Sequence, residues 1–148
     1  MAFGRLRPHC PACGFTYFHD PKVAVAVILA KDSQVLLSRR NHDPQKGAWS
    51  FPAGYVDAGE RVEEAGRREV REETNLEIAI DRLLGVYSEA GNPVILIVYT
   101  GRILSGVPHP GPEAAEVRFF PPDEVPPLAF PHDRQVLEDW LRSGGKKT

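Results

Sequence analysis

The stretch that most constrains the fold is VAVAVILA at residues 23–30, which is continuous, apolar and rich in β-branched side chains. A strand with one solvated face alternates apolar and polar residues, whereas an unbroken apolar run indicates a strand buried on both faces. The run is also far shorter than the ~20 residues that a membrane-spanning helix needs. It therefore predicts a core strand and no membrane span.

The rest of the chain predicts strands and helices in alternation. Turn-forming residues separate the segments, and KDS at 31–33 predicts a tight hairpin turn. We predict further strands at 33–40, 77–90, 93–104 and 116–120, a short extended segment at 49–54, helices at about 60–74 and 132–143, and a helical turn at 121–126. Strands interleaved with two helices predict an α/β domain with a mixed sheet.

Length and composition exclude several classes of protein. The 148 residues suffice for one domain, and 42% apolar with 26% charged residues argues against disorder and against a coiled coil. A net charge of −2 disfavours a partner that is nucleic acid or a membrane surface. The N-terminus lacks the apolar segment of a signal peptide, so we expect a cytoplasmic protein. We expect a leader at 1–21, the main domain at 22–143 and a tail at 144–148.

The helix at 60–74 carries acids on the side that its apolar residues mark as inward. Each residue advances a helix by ~100°, so Glu72 and Glu73 fall on the same half as Glu69, together with Val62, Ala65, Gly66 and Val70. Clustered carboxylates repel each other, and a divalent cation such as Mg²⁺ or Mn²⁺ removes that repulsion. The alternative is an ordinary solvated face with ion pairs between neighbouring turns.

This segment resembles the Nudix box, written G-x5-E-x7-R-E-U-x-E-E-x-G-U with U an aliphatic residue. Residues 54–76 match it at every fixed position except the last glycine, where the chain has Asn75. Asparagine tolerates the left-handed conformation that ends a helix, so the departure is mild. The flanking segments are similar to the family over residues ~22–141.

The resemblance implies an α/β/α sandwich that hydrolyses a nucleoside diphosphate linked to another moiety. It implies metal ligands at Glu69, Glu72 and Glu73, with Glu60 a further acid of the site and the Gly54 carbonyl a possible ligand. It makes Arg68 an ion-pairing residue that orients a carboxylate. The general base would be Glu72 or an acid of the later loop, with Glu116 preferred and Glu113 second. A homodimer is the common assembly in the family, with the N-terminal leader as a candidate contact.

Cys10 and Cys13 form a second local signal, because HCPACGF contains half of a zinc ribbon. In a reducing compartment such cysteines are thiols or metal ligands rather than a disulfide. Structural zinc needs four ligands, so His9 or His19, or the same pair of a second chain, would have to complete the site. The other interpretation is a remnant that binds no zinc. The segment resembles the ribbon of the NADH-pyrophosphatase-like branch of the family.

The substrate is less constrained than the chemistry. The NADH-pyrophosphatase branch carries an SQPWPFP signature that this chain lacks, which favours ADP-ribose or a related nucleotide sugar. Arg39 and Arg40 end a strand near the expected cleft and are candidates for phosphate binding, as Tyr55 is for the base. Several other aromatic residues are candidates for stacking on the base: Phe15, Tyr17, Trp49, Tyr87 and Phe130. We expect His42 and His132 at the surface.

Other functions remain open at this stage. They are hydrolysis of NADH, NAD or another dinucleotide, removal of oxidised nucleoside triphosphates, and a regulatory module that senses nucleotides without turnover. The intact acid cluster argues against the sensor.

Overall fold

The computed structural model describes residues 7–16 and 19–144, so Tyr17 and most of the predicted tail lie outside the described residues. Its strands and helices follow the predicted order closely. They are β1 (Lys22–Lys31), β2 (Gln34–Arg40), β3 (Trp49–Ser50), β4 (Ala53–Tyr55), α1 (Val62–Thr74), β5 (Glu77–Tyr87), β6 (Val94–Ser105), β7 (Ala114–Phe120), a 3₁₀ turn (Pro122–Glu124) and α2 (Pro131–Arg142).

Strand β1 is the centre of a mixed sheet. It runs parallel to β6 along most of its length and antiparallel to β4 and β2 at its two ends. Strand β5 pairs with the far side of β6, while β3 and β7 pair with β2. Because neighbours and helices surround β1, its residues 24–29 are all buried, as the unbroken apolar run predicts.

The two helices cover opposite faces of this sheet. Val25, Val27 and Leu29 face α1, where Gly66 lets the helix approach so closely that a Cβ would lie 3.2 Å from Val27 Cγ2. The alternate residues of β1 face α2, which contributes Val136, Leu137 and Trp140 to the core on that side. The α/β/α sandwich is therefore confirmed.

Turns and helix ends fall where the sequence has residues suited to them. Asp32 and Ser33 both have positive φ in the hairpin between β1 and β2. Asn75 ends α1 in the left-handed conformation at φ 65° and donates its backbone N–H to the Arg71 carbonyl at 3.0 Å. The substitution of asparagine for the family's glycine thus keeps the backbone geometry that the motif requires.

No helix within residues 7–16 and 19–144 is long and apolar enough to cross a membrane.

Candidate active site

Strand β4 and the start of the following loop lie directly against the acidic helix. A Cβ placed on Gly54 would be 2.0 Å from Glu69 Cδ, so only glycine lets the strand backbone approach this carboxylate. The Glu69 side chain is only 14% exposed. Burial raises the pKa of Glu69, and the charge and hydrogen bond of Arg68 oppose that effect.

Glu73 lies one turn further along the same face of α1. Its Oε2 accepts a hydrogen bond from the Ala53 backbone N–H at 3.3 Å. Burial, together with the negative charge of Glu69, raises the pKa of Glu73 to about 8. Two partly dehydrated carboxylates of α1 therefore pack against β4, and both would be stabilised by a cation.

Arg68 holds several acids of the site in place. Its guanidinium donates to Glu60 at 2.8 and 3.0 Å, to Glu69 at 2.9 Å, and more weakly to Glu72 at 3.3 Å. It also donates to the Tyr55 carbonyl at 3.0 Å. The hydrogen bonds from Arg68 hold the pKa of Glu60 below its usual range. The arginine thus links the loop before the helix to the carboxylates on it.

Glu60 precedes α1, because the helix starts at Val62 rather than at the predicted residue 60. Its Oε1 accepts the Asp57 backbone N–H at 3.1 Å, so its carboxylate does not cap the helix. The positive φ of Gly59 turns the chain so that Glu60 reaches Arg68. The path of the loop, and not helical spacing, brings this acid to the site.

Residues 106–113 form a strap across the C-terminal end of α1. His109 donates its backbone N–H to the Thr74 carbonyl at 2.9 Å, and Gly111 donates to the Glu73 carbonyl at 3.0 Å. A Cβ on Gly111 would lie 1.8 Å from the Glu72 carbonyl oxygen, so glycine is required for this approach. On its other side, the strap accepts a hydrogen bond from Asn41 Nδ2 at the Pro112 carbonyl, 2.9 Å away.

Glu113 is the last residue of the strap, two residues after the Gly111 that contacts α1. Burial is the largest cause of the raised pKa of Glu69 and Glu73, and the negative charge of Glu113 adds to it. Glu116 lies further along in β7, opposite Arg39 of β2, and its carboxylate pairs with Arg118. Of the two predicted loop acids, the second choice, Glu113, is the one whose charge acts on Glu69 and Glu73.

The three predicted substrate residues differ in their surroundings. Arg40 lies 5.2 Å from the Phe130 ring, and its charge is close enough to lower the pKa of Glu73. Arg39 is exposed and donates to the Gly47 carbonyl at 3.3 Å. Tyr55 is 53% exposed, with the Lys22 ammonium 5.2 Å from its ring centre.

The cysteine segment forms a compact turn. Gly14, at φ 79°, donates its N–H to the Cys10 carbonyl at 2.7 Å, and Cys10 donates to the Phe15 carbonyl at 2.7 Å. Hydrogen bonds from the backbone of Cys13 and then of Ala12 lower the pKa of the Cys10 thiol. In the described part of the chain, however, no third metal-ligating side chain joins the pair, so a zinc site is not supported.

The acids of α1 fit a hard divalent cation by the chemistry of their donors. Magnesium and manganese prefer carboxylate oxygens, and Glu69 and Glu73 are acids whose charge is penalised by burial. The described residues contain no group of three or more acids, histidines or cysteines already gathered around one point. Arg68 instead occupies Glu69 and Glu72, while ion pairs Glu64–Arg67 and Arg71–Glu77 cover the outward half of the helix.

Comparison with known proteins gives this geometry a context. The family model of the NUDIX domain matches residues 20–140. The chain belongs to the NUDIX family. It is a Nudix pyrophosphohydrolase, an enzyme that cleaves a pyrophosphate bond, as the motif at residues 54–76 predicts.

The match to this Nudix hydrolase covers most of the length of some relatives and less than half of others. An ADP-ribose pyrophosphatase from Methanocaldococcus jannaschii is 41% identical over 130 residues, which are 85% of this chain and 76% of the relative. The NAD-capped RNA hydrolase NudC from Pseudomonas aeruginosa is 32% identical over 123 residues, 80% of this chain but only 43% of NudC. A crystal structure of a NUDIX hydrolase from Nitrosomonas europaea superposes with a TM-score of 0.87 at 30% identity, covering 96% of this chain and 82% of that one.

Two features of the site were not identified from the sequence. Asn41 and Gly111 hold the strap in place. The only sequence signal for Gly111 is that it is a glycine in a Pro/Gly-rich loop, which is weak. His132, expected at the surface, is half-buried, stacks on Phe130 at 5.8 Å and lines a cavity. Both features depend on contacts between segments far apart in the sequence.

Proposed function

We propose that this Nudix hydrolase cleaves the pyrophosphate bond of ADP-ribose or a closely related nucleotide sugar with the help of Mg²⁺ or Mn²⁺. The observation that carries the proposal is the packing of Gly54 against Glu69, with Glu73 beside it under Ala53. This packing brings dehydrated carboxylates together on one side of the strand. The identity to an ADP-ribose pyrophosphatase supports the choice of substrate.

The cation would be held by Glu69, Glu72 and Glu73, with Glu60 and the Gly54 carbonyl as further candidate ligands. When bound, such an ion supplies charge neutralisation for phosphoryl oxygens and makes water easier to deprotonate. Arg68 is a positioning residue in this scheme, because it fixes Glu60 and Glu69 and releases Glu72 most easily.

Glu113 is our choice of general base, in place of Glu116. Its charge lies with the acids of α1, whereas Glu116 pairs with Arg118 on β7. Glu113 would take a proton from the attacking water as the oxygen bonds to phosphorus and the bridging P–O bond breaks. Hydrolysis then leaves two monophosphates, one of them on the nucleoside.

Arg40 is the stronger candidate to bind a substrate phosphate. Its guanidinium lies 5.2 Å from the centre of the Phe130 ring, which precedes α2, and its charge opposes the effect of burial on the pKa of Glu73. Both guanidinium groups also donate to a backbone carbonyl, Arg39 to Gly47 at 3.3 Å and Arg40 to Pro44 at 2.7 Å, so their position relative to Glu73 decides between them. A phosphate in contact with Arg40 would be close to the acid cluster, where the reaction takes place.

A substrate panel tests this function. ADP-ribose, NADH, nucleotide sugars, diadenosine polyphosphates and nucleoside triphosphates are compared with Mg²⁺ or Mn²⁺, using wild type and Glu73→Gln. We expect the highest kcat/KM for ADP-ribose or a nucleotide sugar, and loss of turnover in the variant. Preference for NADH or for an oxidised triphosphate would refute the substrate assignment. Hydrolysis of no member would favour a nucleotide sensor.

The homodimer stays a prediction, which light scattering measures directly.

A further inference from the structure

A cavity of about 380 Å³ opens between the end of β5, the turn after it and the start of α2. Its volume falls within the ~300–1,000 Å³ that is usual for small-molecule sites. Apolar side chains, aromatic rings, amides and one acid line its walls. They include Tyr87, Glu89, Asn92, Leu96, His132 and Gln135.

The segment from Ser50 to Ala53 connects this cavity to the acid cluster. The Ser50 hydroxyl donates to Asp133 at 3.2 Å, and Asp133 follows directly after His132 of the cavity wall. Three residues after Ser50, the Ala53 N–H donates to Glu73 Oε2 at 3.3 Å. Three residues of extended chain span at most ~10 Å, so the start of α2 and the acids of α1 are held at the two ends of one short segment.

The walls on the α2 side are fixed by an ionised acid. Asp139 accepts the Tyr87 hydroxyl at 2.6 Å and Gln135 Nε2 at 2.8 Å. The Tyr87 hydroxyl, followed by Gln135, holds the pKa of Asp139 below its usual range, so the carboxylate is charged at neutral pH and acts only as an acceptor. The tyrosine ring and the glutamine amide therefore keep a set position beside the cavity.

Glu89 gives the cavity its chemical character. It begins a tight turn in which Asn92 donates its N–H to the Glu89 carbonyl at 3.1 Å, with Gly91 at φ 83°. Among the described residues that line the cavity, Glu89 is the only carboxylate, and no lysine or arginine is present. A carboxylate accepts hydrogen bonds from the adjacent hydroxyls of a ribose and repels a phosphate.

We propose that this cavity holds the nucleoside end of the substrate and that Glu89 recognises its ribose 2′- and 3′-hydroxyls. The rings of Tyr87 and His132 would contact the base, for which flat aromatic surfaces are suited. The inference rests on the proposed function, because it assigns one end of the substrate whose pyrophosphate lies at the acid cluster. It predicts that a ribose with a 2′-phosphate is rejected.

Kinetics with three substrates test the role of Glu89. ADP-ribose is compared with its derivatives that carry hydrogen or phosphate at the 2′ position of the adenosine ribose. For wild type, we expect kcat/KM about tenfold lower for the 2′-deoxy compound and lower still for the 2′-phosphate. Glu89→Gln should raise KM for ADP-ribose about tenfold with kcat unchanged. It should also bring the kcat/KM values for ADP-ribose and for the 2′-phosphate closer together. Glu138→Gln, on an exposed position of α2, is the matched control and should behave as wild type.

Binding without turnover separates this inference from the proposed function. Calorimetry with 5′-AMP and 2′-deoxy-5′-AMP should show preference for the ribonucleotide in wild type and none in Glu89→Gln. If that preference is found while no panel substrate is hydrolysed, the proposed function fails and the nucleoside site stands. If 5′-AMP does not bind, or if the variant keeps the wild-type preference, the nucleoside site is wrong.

Discussion

Replacing Gly54 by alanine should abolish most of the activity while leaving the fold intact. Gly54 does not have a positive φ, so its backbone accepts an alanine without conformational strain. The obstacle is contact alone, because the new Cβ would lie 2.0 Å from Glu69 Cδ and 2.3 Å from each carboxylate oxygen. Glu69 is therefore the group that must move.

The size of that movement follows from ordinary contact distances. Non-bonded carbon atoms rest ~3.5–4.0 Å apart, so the Glu69 carboxyl must retreat by about 1.5–2 Å. A misplacement of ~1 Å at a reacting group is enough to cost about 100-fold in rate. We therefore expect kcat to fall by at least about 100-fold in Gly54→Ala.

Steady-state hydrolysis by Gly54→Ala measures the expected loss of activity, and its thermal unfolding measures whether the fold stays intact. The matched control is Glu69→Asp, alone and combined with Gly54→Ala, because the shorter acid leaves room for the new methyl group. Since both changes act on one carboxylate, their effects on kcat should not add. Wild-type kcat in Gly54→Ala would refute the reasoning, as would an additive loss in the double variant.

Three further predictions concern the strap, the cavity wall and the end of α1. Glu113→Gln should lower kcat by about 100-fold or more while Glu116→Gln stays within a few-fold of wild type, and the reverse ranking would contradict our choice of base. Tyr87→Phe should lower the free energy of unfolding by about 1–2 kcal/mol near pH 7, because Asp139 loses a donor. The pKa of Asp139 is lower in the native protein than in the unfolded chain, so the difference in unfolding free energy between wild type and Tyr87→Phe should persist above pH ~4 and shrink as the pH falls further. Urea unfolding at several pH values measures this difference. A difference that does not change with pH would exclude the linkage. Asn75→Ala should destabilise the protein by about 1 kcal/mol through the left-handed backbone, whereas Asn75→Gly should not, and equal urea midpoints in the two variants would remove that explanation.

Local sequence patterns were enough to predict the fold, because each element carries its own signal. The apolar run became β1, and the spacing of apolar residues located both helices. Boundaries moved where backbone geometry decides them. Strand β5 ends at Tyr87 rather than at residue 90, since Gly91 turns the chain.

The candidate site could be predicted only in part, because local patterns place some of its residues and contacts between distant segments place the others. Acids on one helix are placed by its regular geometry, so Glu69 and Glu73 were assigned to one face correctly by position. The environment of Glu113 depends instead on Gly111 contacting α1 and on Asn41 contacting the strap. Such contacts between distant segments leave no periodic pattern, and the spacing of loop acids does not reveal which one lies near the cluster.

Manganese binding tests the central claim most directly, because it requires the carboxylates of α1 to share a cation without any assumption about substrate. Free Mn²⁺ is followed by electron paramagnetic resonance during titration of wild type, Glu73→Gln and the exposed control Glu138→Gln. The account predicts uptake by wild type and the control, and affinity at least about tenfold weaker in Glu73→Gln. Equal affinity in all three proteins would contradict it.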